Sequence, residues 1–264
     1  MAGAEDEAER PAGSLADAPP GVLSGYHERI FRGGSALTRW AHNSRRDAVL
    51  ELVGGRVFRS AVDVGCADGW LLRDLYDGGV IETGIGIDNE PVMLDSGRLR
   101  SSGYPGLSFA APGDVDPSRG DVDLVLCLET LEHVGDVDAV VRQITGLVAP
   151  GGTVVVSVPI EVGPALLVKQ AGRWWANRVN DYGYERYPWR ELLRAGVGWD
   201  AGGLTSMNSY SHKGFDYREV RSMLTGRLQL VRTVYSPLGW TGPWGASTVF
   251  WLLRRPGVSE VQPG

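Results

Sequence analysis

The sequence AVDVGCADG at residues 61–69 joins an apolar stretch to a turn that contains two glycines. We predict a strand over Ser60–Val64 and a helix over Trp70–Tyr76, so the glycine turn would connect a strand to a helix. Glycine lets the backbone approach a ligand closely, and the free N–H groups of a helix start face that ligand. The turn lacks the G-x-G-x-x-G spacing of dinucleotide enzymes, so by itself it does not identify the ligand.

A carboxylate follows at the end of the second predicted strand. This strand covers Ile81–Ile87 and is followed by Asp88. In dinucleotide-binding folds, an acidic residue about twenty residues after the glycine turn holds the ribose hydroxyls. The glycine turn and Asp88 together therefore favour a cofactor that contains a ribose.

The rest of the chain alternates predicted strands and helices, which is typical of a mostly parallel sheet. The expected fold is α/β: a Rossmann-like, doubly wound, mostly parallel seven-stranded sheet with helices on both faces. An aromatic-rich insertion of about 160–210 interrupts the alternation after the fifth strand. We expect one domain over residues 21–255 and disordered tails at 1–20 and 256–264. The remaining predicted strands are Leu107–Ala110, Val122–Cys127, Thr153–Val158, Leu228–Tyr235 and Ser247–Leu253; the helices are Val137–Val148, ending at Pro150-Gly151-Gly152, and Tyr217–Leu224.

Composition limits the classes of protein and of partner. The formal charge of -6 over 264 residues argues against a protein that coats nucleic acid or anionic membrane. Cys66 and Cys127 fall at predicted strand ends in an apolar core, so we expect a reducing compartment and no disulfide. No basic segment precedes an apolar run, and no apolar stretch reaches the roughly 18 residues of a membrane span. We therefore expect a cytoplasmic protein; the sequence predicts no particular oligomeric state.

A second informative stretch reads CLETLEHV at residues 127–134, directly after a predicted strand. Glu129, Glu132 and His133 stand at i, i+3 and i+4, so one helical turn would place all three side chains on one face. Two carboxylates and an imidazole that converge at a strand end make half of a divalent-metal site.

The segments AVDVGCADG, GIGIDNE, GDVD, DLVLCLETLEHV and LVAPGGTVVVSVP resemble, in order and spacing, the class I S-adenosylmethionine-dependent methyltransferases. The resemblance covers roughly residues 45–160, with Ala67 at a place where many members have glycine. It implies S-adenosylmethionine as the cofactor and methyl transfer as the reaction. The resemblance would place Arg45 and Arg46 near the cofactor's carboxylate; the alternative is that they lie on a solvated helix face. It would place Asp114 near the adenine; the alternative is that Asp114 is an ordinary turn aspartate. The implied cofactor contacts are Gly65, Cys66, Ala67 and Gly69 beside the methionine and ribose, Asp63 supporting the turn, Asp88 with Asn89 at the ribose, Asp114 at the adenine, and Leu128 with Glu129 beneath the sulfonium.

The motif Glu129-x-x-Glu132-His133 resembles two metal-dependent branches of this class, the ubiquinone-biosynthesis O-methyltransferases and the small-RNA terminal 2′-O-methyltransferases. The RNA enzymes add a second histidine in a His-Lys-Phe-Glu context, and SHKGFDY at residues 211–217 is similar, with Gly214 as one extra residue. The resemblance implies catalytic roles for His133 and His212, with Glu129, Glu132 and both histidines as ligands of Mg²⁺, Mn²⁺ or Fe²⁺. Such a metal would bind the acceptor hydroxyl and lower its pKa. The alternatives are that His212 is a general base without metal, or that the histidines are structural.

The insertion carries tryptophans and tyrosines interleaved with arginines, and in this class the equivalent segment shapes the acceptor pocket. Aromatic side chains suit a ring-bearing acceptor, whereas a small satellite core with snorkelling arginines is the alternative. We expect O-methylation of a small-molecule hydroxyl, on an aromatic or sugar-containing metabolite. The other candidates are a metal-independent C- or N-methyltransferase and an RNA-terminal 2′-O-methyltransferase; acidic residues in the insertion argue against nucleic acid.

Overall fold

The computed structural model describes residues 36–167, 169–171, 188–197 and 215–257. The strands are β1 (Phe58–Val64), β2 (Ile81–Ile87), β3 (Leu107–Ala110), β4 (Val122–Leu128), β5 (Val148–Pro159), β6 (Gln229–Ser236) and β7 (Thr248–Arg254). The helices are α1 (Ala36–Val53), α2 (Trp70–Asp77), α3 (Pro91–Arg100), α4 (Val137–Leu147), α5 (Trp189–Gly196) and α6 (Tyr217–Thr225).

In the described part of the chain, the strands form a seven-stranded sheet in the order β3-β2-β1-β4-β5-β7-β6. The pairs from β3 to β5 are parallel, whereas β7 runs antiparallel to both β5 and β6. This is the predicted doubly wound, Rossmann-like arrangement with one antiparallel region. The order of the strands reverses between β1 and β4, and ligands of such sheets bind at the carboxyl ends of the strands beside this point.

Helices cover both faces of the sheet because alternate residues of each strand point to opposite sides. On β4, Leu124 and Leu126 pack in the core beneath α1 and α2. Val125 and Cys127 pack in the core beneath α4 and α6. Two buried faces explain why the central strands are continuous apolar runs rather than alternating ones.

Most predicted elements are confirmed within one or two residues, and two differ. Helix α3 was missed, although Pro91 at its first turn is a recognised helix start. Strand β5 begins at Val148, so the Pro-Gly-Gly segment that we expected to end the preceding helix lies inside the strand. The predicted tail 1–20, most of the tail 256–264, and His212 lie outside the described residues.

The structure also bears on the membrane and disulfide predictions. No helix among the described residues combines the length and the apolar composition needed to cross a bilayer. Cys66 and Cys127 are both buried and both free thiols.

Candidate active site

The glycine turn after β1 is pressed against two neighbouring elements. Gly65 has φ 81°, and a Cβ there would lie 2.2 Å from Thr130 Oγ1. Gly69 has φ 69°, and a Cβ there would lie 2.2 Å from a ring carbon of Phe109. Both positions therefore require glycine for two reasons: the backbone is left-handed, and a neighbouring side chain lies where a Cβ would be. Ala67, where many relatives have glycine, itself has φ 48°, a conformation that costs an L-residue about 1 kcal/mol.

Asp88 fixes the same turn from the end of β2. Its Oδ2 accepts a hydrogen bond from the backbone N–H of Ala67 at 2.8 Å, and its Oδ1 accepts one from Glu90 N–H at 2.9 Å. Each carboxylate oxygen has further lone pairs for a ligand hydroxyl. The carboxylate thus organises the glycine turn and the start of α3, and it lies at the edge where a ribose would bind.

Asp63 is a buried carboxyl group on β1, directly before the turn. Only 3% of the residue is exposed, and Oδ1 has no hydrogen-bond partner in the described part of the chain. Burial, and to a smaller extent the nearby negative charge of Asp88, together raise the pKa of Asp63 to about 7. The Cys66 thiol is also buried, and its pKa is raised by burial and then by the charges of Asp63 and Asp88, so the thiol stays neutral.

The remaining residues predicted to lie near the cofactor include Asp114, Asn89, Leu128 and Arg46. Asp114 is exposed in a 3-10 turn after β3, and its Oδ2 accepts a hydrogen bond from Ala111 N–H at 3.3 Å. This is the local bond of an ordinary turn aspartate, the alternative that we considered. Asn89 is exposed beside Asp88, and Leu128 packs at the end of β4. Arg46 forms two hydrogen bonds with Asp74, at 2.7 Å and 3.1 Å, which tie α1 to α2.

The predicted helical turn over residues 129–133 is wrong. Glu129 has φ 52°, a left-handed conformation that cannot continue a right-handed helix, and only Leu131–His133 form a 3-10 turn. The cause lies on β5. Ser157 O accepts a hydrogen bond from Glu129 N–H, and Ser157 Oγ donates one to Glu129 Oε1, both at 3.0 Å. These two bonds hold the carboxylate of Glu129 at the carboxyl edge of the sheet.

The three described metal-ligand candidates consequently do not share a face. The Glu132 side chain is 1% exposed and that of His133 is 40% exposed, with Glu132 Oε1 lying 4.0 Å from His133 Nε2. Within residues 36–167, 169–171, 188–197 and 215–257, no three His, Cys, Asp or Glu side chains converge as a metal site would require. The described residues therefore bring together one pair of donors, and by themselves they do not fit a bound metal ion.

Two residues of the site were missed by sequence reasoning. Thr130 Oγ1 lies 3.3 Å from Val64 O and 3.1 Å from Leu128 O, so it links the ends of β1 and β4. Ser157 holds Glu129, and its signal in the sequence was a serine between valines in the run TVVVSVP. A polar residue in a fully buried strand requires a partner, and that requirement could have identified Ser157.

The start of the insertion is anchored beside this edge. Lys169 Nζ donates hydrogen bonds to Glu161 Oε1 at 3.1 Å and to the carbonyl oxygens of Ile160 and Ser247 at 2.8 Å and 2.9 Å. Gly163 N–H donates to Ala195 O at 2.7 Å, which attaches the C-terminal part of α5 to the same segment. These bonds attach the start of the insertion to the ends of β5 and β7, and they attach α5 to that start.

A doubly wound seven-stranded sheet whose glycine turn and strand-end aspartate meet at the switch point is the architecture of the class I S-adenosylmethionine-dependent methyltransferases. The model of a family described as a methyltransferase domain matches residues 37–196, and the chain belongs to this family. Its cofactor is S-adenosylmethionine.

Several characterised proteins are similar to this chain. A ubiquinone biosynthesis O-methyltransferase of Methylococcus capsulatus is 36% identical over 125 residues, which cover 46% of this chain and 52%, about half, of that relative. An enzyme of the same name from Escherichia coli is 28% identical over 167 residues, covering 58% of this chain and 70% of the relative.

Solved structures share the fold at low identity. The N-methyltransferase NodS of Bradyrhizobium japonicum, in complex with S-adenosylhomocysteine, has a TM-score of 0.51 and 16% identity, and covers 89% of this chain and 98% of that one. The magnesium protoporphyrin IX methyltransferase of Synechocystis, with S-adenosylhomocysteine bound, has a TM-score of 0.52 and 16% identity, and covers 87% and 92%.

Proposed function

We propose that this protein transfers the methyl group of S-adenosylmethionine to a hydroxyl oxygen of a small molecule, an aromatic or sugar-containing metabolite. The observation that carries the proposal is the contact between the cofactor turn and the candidate acceptor segment. Gly65 lies so close to Thr130 that a methyl group would not fit between them. The adjacent Glu129 carboxylate is held at the same edge by Ser157. The names of the relatives, O-methyltransferases, support oxygen as the atom that is methylated.

Different residues would bind the cofactor and orient the acceptor. When bound, S-adenosylmethionine supplies an electrophilic methyl group on a sulfonium. Asp88 would accept hydrogen bonds from the ribose hydroxyls, and the left-handed turn at Gly65 would let the backbone approach the cofactor. Glu129 would accept the hydrogen bond of the acceptor hydroxyl and orient its oxygen.

Proton removal is assigned to His133. The acceptor oxygen forms its bond to the methyl carbon as the carbon–sulfur bond breaks. The hydroxyl proton would pass to the Glu129 carboxylate that accepts its hydrogen bond, and from there to His133 Nε2. The buried Glu132 carboxylate, 4.0 Å from that nitrogen, would stabilise the imidazolium that forms. The exposed imidazole then returns the proton to solvent.

A finer part of the proposal is that a divalent metal ion assists. Its support is chemical, since Glu129, Glu132, His133 and His212 offer the oxygen and imidazole donors that Mg²⁺, Mn²⁺ and Fe²⁺ accept. Only the Glu132–His133 pair is adjacent among the described residues, and no step above depends on the metal.

The proposal is tested with deuterium-labelled S-adenosylmethionine and a panel of catechols and glycosides, followed by mass spectrometry and NMR of the products. We expect a labelled methoxy group. A product methylated on carbon or nitrogen contradicts the proposal, as does a lack of transfer by protein that binds S-adenosylhomocysteine.

Metal assistance is tested separately, by metal analysis and activity after exhaustive EDTA treatment. We expect EDTA to reduce transfer, and Glu132→Gln and His212→Ala to lose bound metal. The matched control is Glu82→Gln, an exposed glutamate on β2, which should retain metal. Full activity after EDTA, with equal metal content in all variants, shows that the metal part is wrong while O-methylation stands.

A further inference from the structure

A row of buried polar side chains crosses the carboxyl edge of the sheet on the face that α1 and α2 cover. We call Asp63, Ser157, Thr248 and Ser236 the edge strip; none is more than 3% exposed. The strip belongs to that face because residues two positions deeper on the same strands pack in the core beneath α1 and α2. These deeper residues are all apolar: Ala61, Val155, Phe250 and Val234.

The outer half of the edge strip lacks the hydrogen bonds that buried hydroxyls normally make. Thr248 Oγ1 and Ser236 Oγ have no partner in the described part of the chain, whereas Ser157 Oγ is bonded to Glu129. Thr248 and Ser236 lie directly opposite each other in the β6–β7 register, so their Cβ atoms are about 5 Å apart. Burial of a hydroxyl without a partner costs free energy of folding, and such groups call for an explanation.

A buried threonine at the other edge of the sheet shows the usual situation. Thr153 is 4% exposed on β5, and its Oγ1 accepts a hydrogen bond from Arg56 Nη1 at 3.3 Å. The same residue type is therefore satisfied at the amino edge of β5 and unsatisfied at the edge where the cofactor would bind.

A groove reaches the outer end of the edge strip. Its volume is roughly 460 Å³, and it runs between α1, which contributes Asp47 and Glu51, and the end of β6, which contributes Arg232 and Ser236. Arg232 forms an ion pair with Glu51, so the described arginine of this lining is already neutralised. The lining thus suits a neutral polar group better than a carboxylate or a phosphate.

We propose that Thr248 and Ser236 form a subsite for a second, neutral polar group of the acceptor, a hydroxyl or carbonyl. The inference rests on the proposed function, with the reacting hydroxyl at Glu129. Thr248 and Ser236 lie one and two strands beyond Ser157, and neighbouring strands are about 4.8 Å apart. Thr248 pairs with Pro159, so both hydroxyls also lie two residues, about 6.6 Å, further along the strand direction than Ser157. The acceptor is therefore a hydroxylated ring whose second polar group lies roughly 8–12 Å from the methylated oxygen.

The test uses two acceptors that differ in a single hydroxyl: hydroxytyrosol, a catechol with an aliphatic hydroxyl, and ethylcatechol, which lacks it. For the wild type we expect kcat/KM to be about tenfold higher with hydroxytyrosol. Thr248→Val and Ser236→Ala should reduce that preference towards equality. Thr153→Val, the same chemical change at the opposite edge, should keep it.

Thermal unfolding of the variants without ligand separates a binding role from a structural one. Because the two hydroxyls have no hydrogen-bond partner in the described part of the chain, Thr248→Val and Ser236→Ala should keep or raise Tm, whereas Thr153→Val should lower it. A lower Tm for Thr248→Val with unchanged acceptor preference overturns the subsite. Equal use of the two catechols by the wild type overturns the subsite and leaves the proposed function intact. Transfer to neither catechol, by protein that binds S-adenosylhomocysteine, overturns the subsite, and a lack of transfer to the whole panel of catechols and glycosides overturns the proposed function as well.

Discussion

Replacement of Gly65 by alanine is the sharpest perturbation of the cofactor turn. The added Cβ would lie 2.2 Å from Thr130 Oγ1, 2.5 Å from its Cγ2 and 2.9 Å from its Cβ. The backbone would also have to hold an L-residue at φ 81°. The variant thus combines an unfavourable backbone conformation with overpacking against a residue that links β1 and β4.

The two costs can be estimated and separated. A left-handed L-residue costs about 1–2 kcal/mol, and overpacking costs about 1–3 kcal/mol, so Gly65→Ala should lose roughly 2–5 kcal/mol of unfolding free energy. Gly79→Ala is the matched control for the backbone cost, since Gly79 has φ +64° and nothing within 4 Å of an added Cβ. It should lose about 1–2 kcal/mol.

The assay is urea unfolding of both glycine variants, of Thr130→Ala and of the Gly65→Ala/Thr130→Ala double variant. Removal of Oγ1 and Cγ2 relieves the two closest contacts, so the double variant should be more stable than additivity predicts, by about 1–3 kcal/mol. Calorimetry should show weakened S-adenosylhomocysteine binding for Gly65→Ala alone, with partial recovery in the double variant. Additive effects within about 0.5 kcal/mol, or equal losses for Gly65→Ala and Gly79→Ala, would refute the packing argument.

Three further predictions follow from the same edge. Because the pKa of Asp63 is raised from 3.8 to about 7, its contribution to stability is fully present below about pH 4 and is lost as pH rises through about 7. Urea unfolding of the wild type should therefore show the free energy of unfolding falling by roughly 4 kcal/mol between these pH values, and Asp63→Asn should lack this fall. Identical pH profiles for the two proteins would contradict the prediction. Asp88→Ala removes the acceptor of the Ala67 N–H bond and should weaken S-adenosylhomocysteine binding at least about tenfold by calorimetry; unchanged affinity would exclude Asp88 from the cofactor site. Lys169→Met removes the ammonium beside the buried Glu161 carboxylate, which is 1% exposed, and should lower the free energy of unfolding by about 3 kcal/mol. Adding Glu161→Gln to this variant should restore part of that loss. Equal stability of the single and double variants would count against a buried ion pair.

The centre of the sheet could be predicted because strands β4 and β5 contain buried apolar runs, and because glycines with conformations that few other residues adopt follow β1 and lie near the start of β5. Gly65 and Asp88 were identified for the same local reason: each directly follows a strand. The residues predicted to bind the cofactor could thus be identified because they lie within a few positions of a strand end in the sequence.

The elements that escaped sequence reasoning depend on contacts between distant segments. The i, i+3, i+4 spacing at Glu129 predicts a helix, but hydrogen bonds to Ser157 hold the residue in a left-handed conformation. Helix α3 contains Gly97, which weakens its helical pattern, yet a Cβ there would lie 2.8 Å from Phe109. The four-ligand metal site stays a prediction, since His212 lies outside the described residues.

The central claim is methyl transfer from S-adenosylmethionine to a hydroxyl oxygen at the edge that joins Gly65, Asp88 and Glu129. The most direct measurement is the fate of an isotope-labelled methyl group in a reaction with hydroxytyrosol, followed by mass spectrometry and NMR in parallel for the wild type and Asp88→Ala. We expect a labelled methoxy product from the wild type and a large loss of it in the variant. Label on carbon, or equal amounts of product from both proteins, would contradict the account.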